Sequence, residues 1–149
     1  MRLGFIGAGF ISHFQATALS MVRGVEVSAV LRRSGSPDFV RHCATLGVGT
    51  AVEYDTIGEV VANCDAVAIY NPNQFRLETM QAIVDAVAGG AALTGVIIEK
   101  PLGRTMAEAR ALVEMARGAG LKTAYFENQI FMKGIAAQRA QLAPSIEAM

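Results

Sequence analysis

Short runs of apolar and β-branched residues alternate along the chain with longer stretches of helical periodicity. The runs predict strands over Arg2–Ile6, Val25–Leu31, Thr50–Tyr54, Ala66–Tyr70, Val96–Glu99 and Thr123–Phe126, the one at Thr50–Tyr54 being the weakest. Phe14–Met21 can be helical. Ser36 reads as a helix cap with Pro37 in the first helical position, and Gly47 closes that helix. Thr105 with Glu108 reads as a capping box, after which Ala109, Leu112, Val113 and Ala116 form one apolar face that would lie against a sheet. Gly118 and Gly120 supply its stop. Strands that alternate with helices in this way predict an α/β class built on a parallel sheet. The alternation ends at Phe126. Beyond it lies one plausible helix, Gly134–Leu142, followed by Pro144.

Composition sharpens this picture. The 149 residues suit one domain, and apolar residues make up 52% against 17% charged, below the roughly 25% usual for soluble domains. That excess fits a sheet covered on both faces. Thirteen Lys and Arg balance thirteen Asp and Glu, so no net field draws in nucleic acid or an anionic membrane. Cys43 and Cys64 stand apart, without CxxC spacing or clustered His, which argues against a metal site and for reduced thiols in a cytoplasmic protein. Leu3–Ile11 imitates a secretory leader, but Gly4, Gly7 and Gly9 have a better explanation in the turn discussed next. Ala86–Ile98 is uncharged, yet it is shorter than the ~20 residues of a membrane span and is broken by Gly89 and Gly90.

Gly7-Ala8-Gly9-Phe10-Ile11-Ser12 follows directly on the first predicted strand and leads into a helix, the context that the dinucleotide fingerprint requires. Gly7 permits the tight turn. Gly9 lets a pyrophosphate approach the backbone, the helix start then offers unpaired N–H groups and a positive dipole end, and Gly7, Gly9, Phe10 and Ile11 are expected to hold the pyrophosphate. The expectation is therefore a Rossmann-type doubly wound parallel sheet in three layers, αβα. At the end of the second strand an acidic residue would bind the adenosine ribose, but Arg32, Arg33 and Ser34 stand there instead. Two guanidinium groups and a hydroxyl suit a 2′-phosphate, which predicts NADP(H) as the preferred cofactor and NAD(H) as the second option. A solvated pair of surface arginines is the alternative.

Ile97-Ile98-Glu99-Lys100-Pro101-Leu102 closes the fifth strand. With the glycine turn, Asp65-Ala66-Val67-Ala68-Ile69 and Asn71-Pro72-Asn73, it resembles the glucose-fructose oxidoreductase, inositol dehydrogenase and MocA family, Gfo/Idh/MocA. The resemblance implies an NAD(P)-dependent oxidoreductase acting on a sugar, polyol or related hydroxyl compound. Residues 1–126 would form the cofactor domain and residues 127–149 the start of a C-terminal substrate domain, which would also carry any homo-oligomer contacts. Lys100 would be the catalytic lysine, near both the substrate hydroxyl and the nicotinamide ribose. Glu99 and Asn71, Pro72 and Asn73 would join Gly7, Gly9, Phe10, Ile11, Arg32, Arg33 and Ser34 in binding the cofactor. Departures from the family pattern are Asn71 for Thr, Arg76 for a frequent His, and Gln15 for another. His13 and His42 are expected to be structural, so this chain by itself is expected to turn over little substrate. The rival class is a non-catalytic NADP(H)-binding regulator or subunit.

Overall fold

Each expected strand forms, within two residues of its predicted ends. The structure, a computed structural model, describes residues 1–147. Its strands are β1 (Arg2–Ile6), β2 (Glu26–Leu31), β3 (Val52–Tyr54), β4 (Ala66–Ile69), β5 (Gly95–Glu99) and β6 (Lys122–Phe126). They make one sheet in the order β3-β2-β1-β4-β5-β6, with every neighbouring pair parallel. The chain thus builds outward from β1 to β3, crosses back, and builds the other way from β4 to β6. This is the doubly wound α/β order expected of a Rossmann-type fold.

Period-two alternation sends neighbouring side chains of β1 to opposite faces. Phe5 joins Ala16 of helix α1 (Phe10–Leu19) and Phe39 of α2 (Ser36–Leu46) in one core. Ile6 joins Val60 of α3 (Ile57–Ala62), Ile83 of α4 (Arg76–Ala88) and Leu112 of α5 (Met106–Gly118) in the other. These are the outer layers, and they explain why β1 and β4 read as nearly continuous apolar runs. Cys43 and Cys64 are free and buried, one in each core, and burial pushes each thiol up to about 11. At the amino edge of the sheet, Asp65 accepts hydrogen bonds from the Arg2 main-chain N–H (2.7 Å), Nε (3.2 Å) and Nη2 (2.7 Å).

Several helix details differ from expectation. The N-cap of α2 is Gly35, and Ser36 lies inside the helix. The Ser36 hydroxyl is fully buried and is engaged by the Glu53 carboxylate and the Arg33 carbonyl, so it is not free to cap. Thr105 accepts from the Glu108 amide at 3.2 Å, but the Glu108 carboxylate turns to the Arg104 amide and guanidinium. The reciprocal box forms at α3 instead, between Thr56 and Glu59. In α5 the same i, i+3, i+4, i+7 spacing is displaced: Leu112, Met115, Ala116 and Ala119 face the core, whereas Val113 is exposed. Helix α1 starts at Phe10, directly on the glycine turn, and α6 (Lys133–Glu147) continues past Pro144. Proline removes a main-chain donor there but keeps a helical φ. Among the described residues no helix is long and apolar enough to cross a membrane, and no cluster of His, Cys, Asp or Glu is placed to hold a metal ion.

Candidate functional site

Because the chain leaves β1 and β4 in opposite directions, their carboxyl ends flank a crevice where ligands bind in open α/β sheets. The crevice has a volume of about 1070 Å³. Gly7, Gly9, Phe10 and Ile11 line it from the first turn, Arg33 from the end of β2, Asn71, Pro72 and Asn73 from beyond β4, and Glu99 and Lys100 from β5. Residues remote in sequence therefore meet here. Arg32 and Ser34 do not line it.

The two glycines of the turn do different work. Gly7 has φ +121°, and a Cβ there would lie 2.9 Å from the Tyr70 carbonyl carbon and 3.0 Å from the Asn71 nitrogen. The turn presses directly on the end of β4, so Gly7→Ala is expected to lower stability by roughly 1–3 kcal/mol, the scale of a forced left-handed residue. Denaturant unfolding checks it, and an unchanged midpoint would contradict this account of the turn. Gly9, in contrast, has an ordinary extended conformation, and a Cβ built on it meets nothing within 4 Å. Its missing side chain leaves space in the crevice rather than relief in the fold. Helix α1 has no acidic residue in its first turn and no side-chain cap, so the N–H groups of Phe10 and Ile11 have no partner among the described residues. Such an end fits an anion. Ser12, in place of a third glycine, is fully buried and donates its hydroxyl to the Gly7 carbonyl at 2.9 Å, tying the helix to the turn.

At the adenosine end the two arginines part. The Arg32 guanidinium is exposed and lies 3.3 Å from the Asp55 carboxylate. Arg33 faces the crevice, and its Nη1 donates to the Arg32 carbonyl at 2.7 Å. Sequence spacing did not reveal Asp55 or Glu53 as neighbours, because the β2–β3 pairing that sets Leu31 beside Tyr54 carries them there.

At the other end, Lys100 is exposed at the carboxyl end of β5, joined to Pro101 by a cis peptide bond. Lys100 and Glu99 also border a second hollow of about 260 Å³ that includes Ile11, Phe14, Tyr125 and Phe131. Two groups here escaped the sequence reading, and a third, Arg76, was legible only as a departure from the family pattern. Tyr70 is buried in the crevice wall, and desolvation, aided by the Glu99 charge, pushes its phenol well above the ordinary value. Thr79 accepts a hydrogen bond from the Asn71 amide at 2.7 Å. Arg76 is 3% exposed, and burial lowers its guanidinium pKa against the opposing charges of Glu99 and Tyr125. Tyr70 directly follows β4, and Arg76 and Thr79 lie on α4, in stretches whose apolar periodicity hides their surroundings.

The histidines lie outside both hollows. His13 Nδ1 donates to the Gly9 carbonyl at 3.0 Å, and His42 Nε2 sits 3.2 Å from the His13 carbonyl and 3.1 Å from the Thr17 hydroxyl. A series of aromatic rings links this region to the crevice. His13 meets Phe39 at 5.4 Å between centroids, Phe39 meets Phe5 at 4.9 Å, and Phe5 meets Tyr70 at 5.0 Å.

Residues 1–126 match the model of an oxidoreductase family described by its NAD-binding Rossmann fold, Gfo/Idh/MocA. Among solved structures, UDP-N-acetylglucosamine 3-dehydrogenase GnnA from Acidithiobacillus ferrooxidans is similar at 23% identity and TM-score 0.73, over 95% of this chain and 43% of that one. An NAD-binding oxidoreductase from Klebsiella pneumoniae is similar at 25% identity and TM-score 0.70, over 97% and 38%. Apo scyllo-inositol dehydrogenase from Lactobacillus casei is similar at 20% identity and TM-score 0.74, over 97% and 41%. The chain spans less than half the length of each. No curated protein matches the sequence.

Proposed function

The chain belongs to the Gfo/Idh/MocA oxidoreductase family through its NAD-binding Rossmann fold, and from that premise we propose that it binds NADP(H) in preference to NAD(H) for hydride transfer to or from a sugar, polyol or related hydroxyl or carbonyl compound. The observation that carries this reading is the meeting of the glycine turn and Lys100 in one crevice. When bound, the nicotinamide supplies or accepts the hydride. The chain's own residues do the rest. The amides of Phe10 and Ile11 offer two N–H donors to the pyrophosphate across the open position at Gly9. Asn71, Pro72 and Asn73 border the nicotinamide end. The Lys100 ammonium stabilises a developing alkoxide, or gives and takes the proton of the reacting hydroxyl. Residues 127–149 begin a second domain, which completes the substrate pocket and carries any contacts between subunits.

Cofactor preference falls to Arg33, because it lines the crevice while Arg32 is paired with Asp55. A hydrogen bond to a charged group contributes about 1.5–3 kcal/mol, so NADPH is expected to bind about tenfold or more tightly than NADH. Arg33→Asp should abolish or invert this preference, and Arg32→Asp should change it less. Raised salt should weaken NADPH binding more than NADH binding. Calorimetric titration of both cofactors decides the matter, and equal affinities in the native chain would remove Arg33 as the reader of the phosphate.

A further inference from the structure

The side chain of Arg76 starts on the first residue of α4 and runs inward to the turn that follows β5. Its Nη1 faces the main-chain oxygens of Glu99 and Pro101, and that of Leu102 at 3.4 Å. The turn has few other ties. Among the described residues, the hydrogen bonds that reach the oxygens of Pro101 and Leu102 come from Arg76 alone. The anchored oxygens of residues 99 and 101 stand on either side of Lys100. The oxygen of Lys100 itself is not among them, and its side chain is exposed at the crevice.

A buried guanidinium is costly to desolvate unless its donors are used. Here those of one nitrogen, Nη1, are spent on one turn. The cation has no carboxylate within ion-pair distance, since none of the salt bridges among the described residues includes it. Its Nε is buried without a partner. A neutral apolar side chain would fill the same volume without that cost, so simple packing does not account for an arginine here. A cationic nitrogen set among the carbonyls of Glu99, Pro101 and Leu102 does account for it, because it ties the end of β5 to a turn that no strand or helix holds.

We infer that Arg76 is a positioning residue for Lys100, a buried clamp that fixes the backbone on both sides of the lysine and so sets where its ammonium stands in the crevice. This rests on the proposed role of Lys100, but the two ideas fail separately. The sequence holds lysine only at positions 100, 122 and 133. Reductive methylation with a ¹³C label therefore gives one side-chain signal for the site and two internal controls on β6 and α6.

In the cofactor-free native chain, the Lys100 signal is expected to stand apart from those of Lys122 and Lys133 and to be broadened by restricted motion. In Arg76→Met, which keeps a long apolar chain but no donors, it should collapse onto the narrow shift of a free surface lysine while the two controls stay in place. Arg76→Lys, which restores a charged donor, should recover part of the native signal. An unchanged Lys100 signal in a folded Arg76→Met chain overturns the inference. Should that variant fail to fold, Arg76→Gln is read in the same way, since its neutral amide is too short to reach the three oxygens together. A native Lys100 signal there overturns the inference, and a displaced one supports it. Addition of NADP⁺ to the native chain forms a separate arm. If the Lys100 signal does not move, the proposed function loses its lysine, whereas the clamp is judged by the cofactor-free spectra alone.

Discussion

A Gly9→Val chain is expected to fold normally and to lose cofactor binding, with Kd for NADPH weakened by about 100-fold or more. The two halves of this outcome come from different observations. The fold should survive because Gly9 has extended backbone angles that any residue adopts, and because nothing lies within 4 Å of the added Cβ. Binding should fail because the branched side chain would occupy the space through which a pyrophosphate reaches the backbone, screening the amides of Phe10 and Ile11. A loss of two hydrogen bonds to a charged group corresponds to about 3–6 kcal/mol, which more than covers a hundredfold change. Circular dichroism reports the first half and titration of NADPH fluorescence the second. The chain has no tryptophan, so that emission is read without an indole background. Native-like binding by a folded Gly9→Val chain would remove the glycine turn from the site. The contrast with Gly7 is informative, since there the same kind of change damages the fold.

The second large effect is expected at Lys100. In a protein that joins this domain to its substrate domain, Lys100→Ala should lower kcat by on the order of 10²-fold, the scale of a lost general acid or base. The KM for NADPH should change far less, because in the proposed reading the glycine turn and Arg33, elsewhere in the crevice, would hold the pyrophosphate and adenosine ends. Lys100→Arg separates the two roles of the ammonium. It keeps the charge that stabilises an alkoxide but holds its proton too tightly to pass it on. Activity recovered by arginine would indicate electrostatic stabilisation, and activity as low as in the alanine variant would indicate proton transfer. Steady-state turnover unchanged by Lys100→Ala would assign the residue to the solvated surface.

Most of the architecture was legible in the sequence, and the physical reasons can be traced residue by residue. A strand buried on both faces must be apolar throughout, so β1 and β4 were visible as runs. Gly47, with φ +67°, marks a helix end that few other residues tolerate. What escaped was decided by partners remote in the chain. Ser36 does not cap its helix because Glu53 on β3 takes its hydroxyl. Val113 was placed on the buried face because spacing gives the period of a helix but not its rotation about its own axis, which packing against the core sets. In the crevice, Lys100 and the glycines were visible because a strand end and a turn announce themselves locally. Tyr70 and Thr79 were not, and Arg76 showed only as a departure from the family pattern, since a polar group buried by tertiary contact leaves no local mark of its partners. The division of labour between Arg32 and Arg33 likewise depends on Asp55, brought close by the pairing of β2 with β3.

The series of rings that runs from Tyr70 through Phe5 and Phe39 to His13 makes the molecule its own reporter. Tyr70 forms part of the crevice wall, and the protein's two histidines stand at the far end of the series, their imidazoles 5.0 Å apart. Stacked and tilted rings shift one another's magnetic environment, and His13 is also bonded to the carbonyl of Gly9 itself. The few imidazole C–H resonances of this chain, well separated from all others in a proton spectrum, should therefore carry a reading of what occupies the crevice from side chains that do not line it.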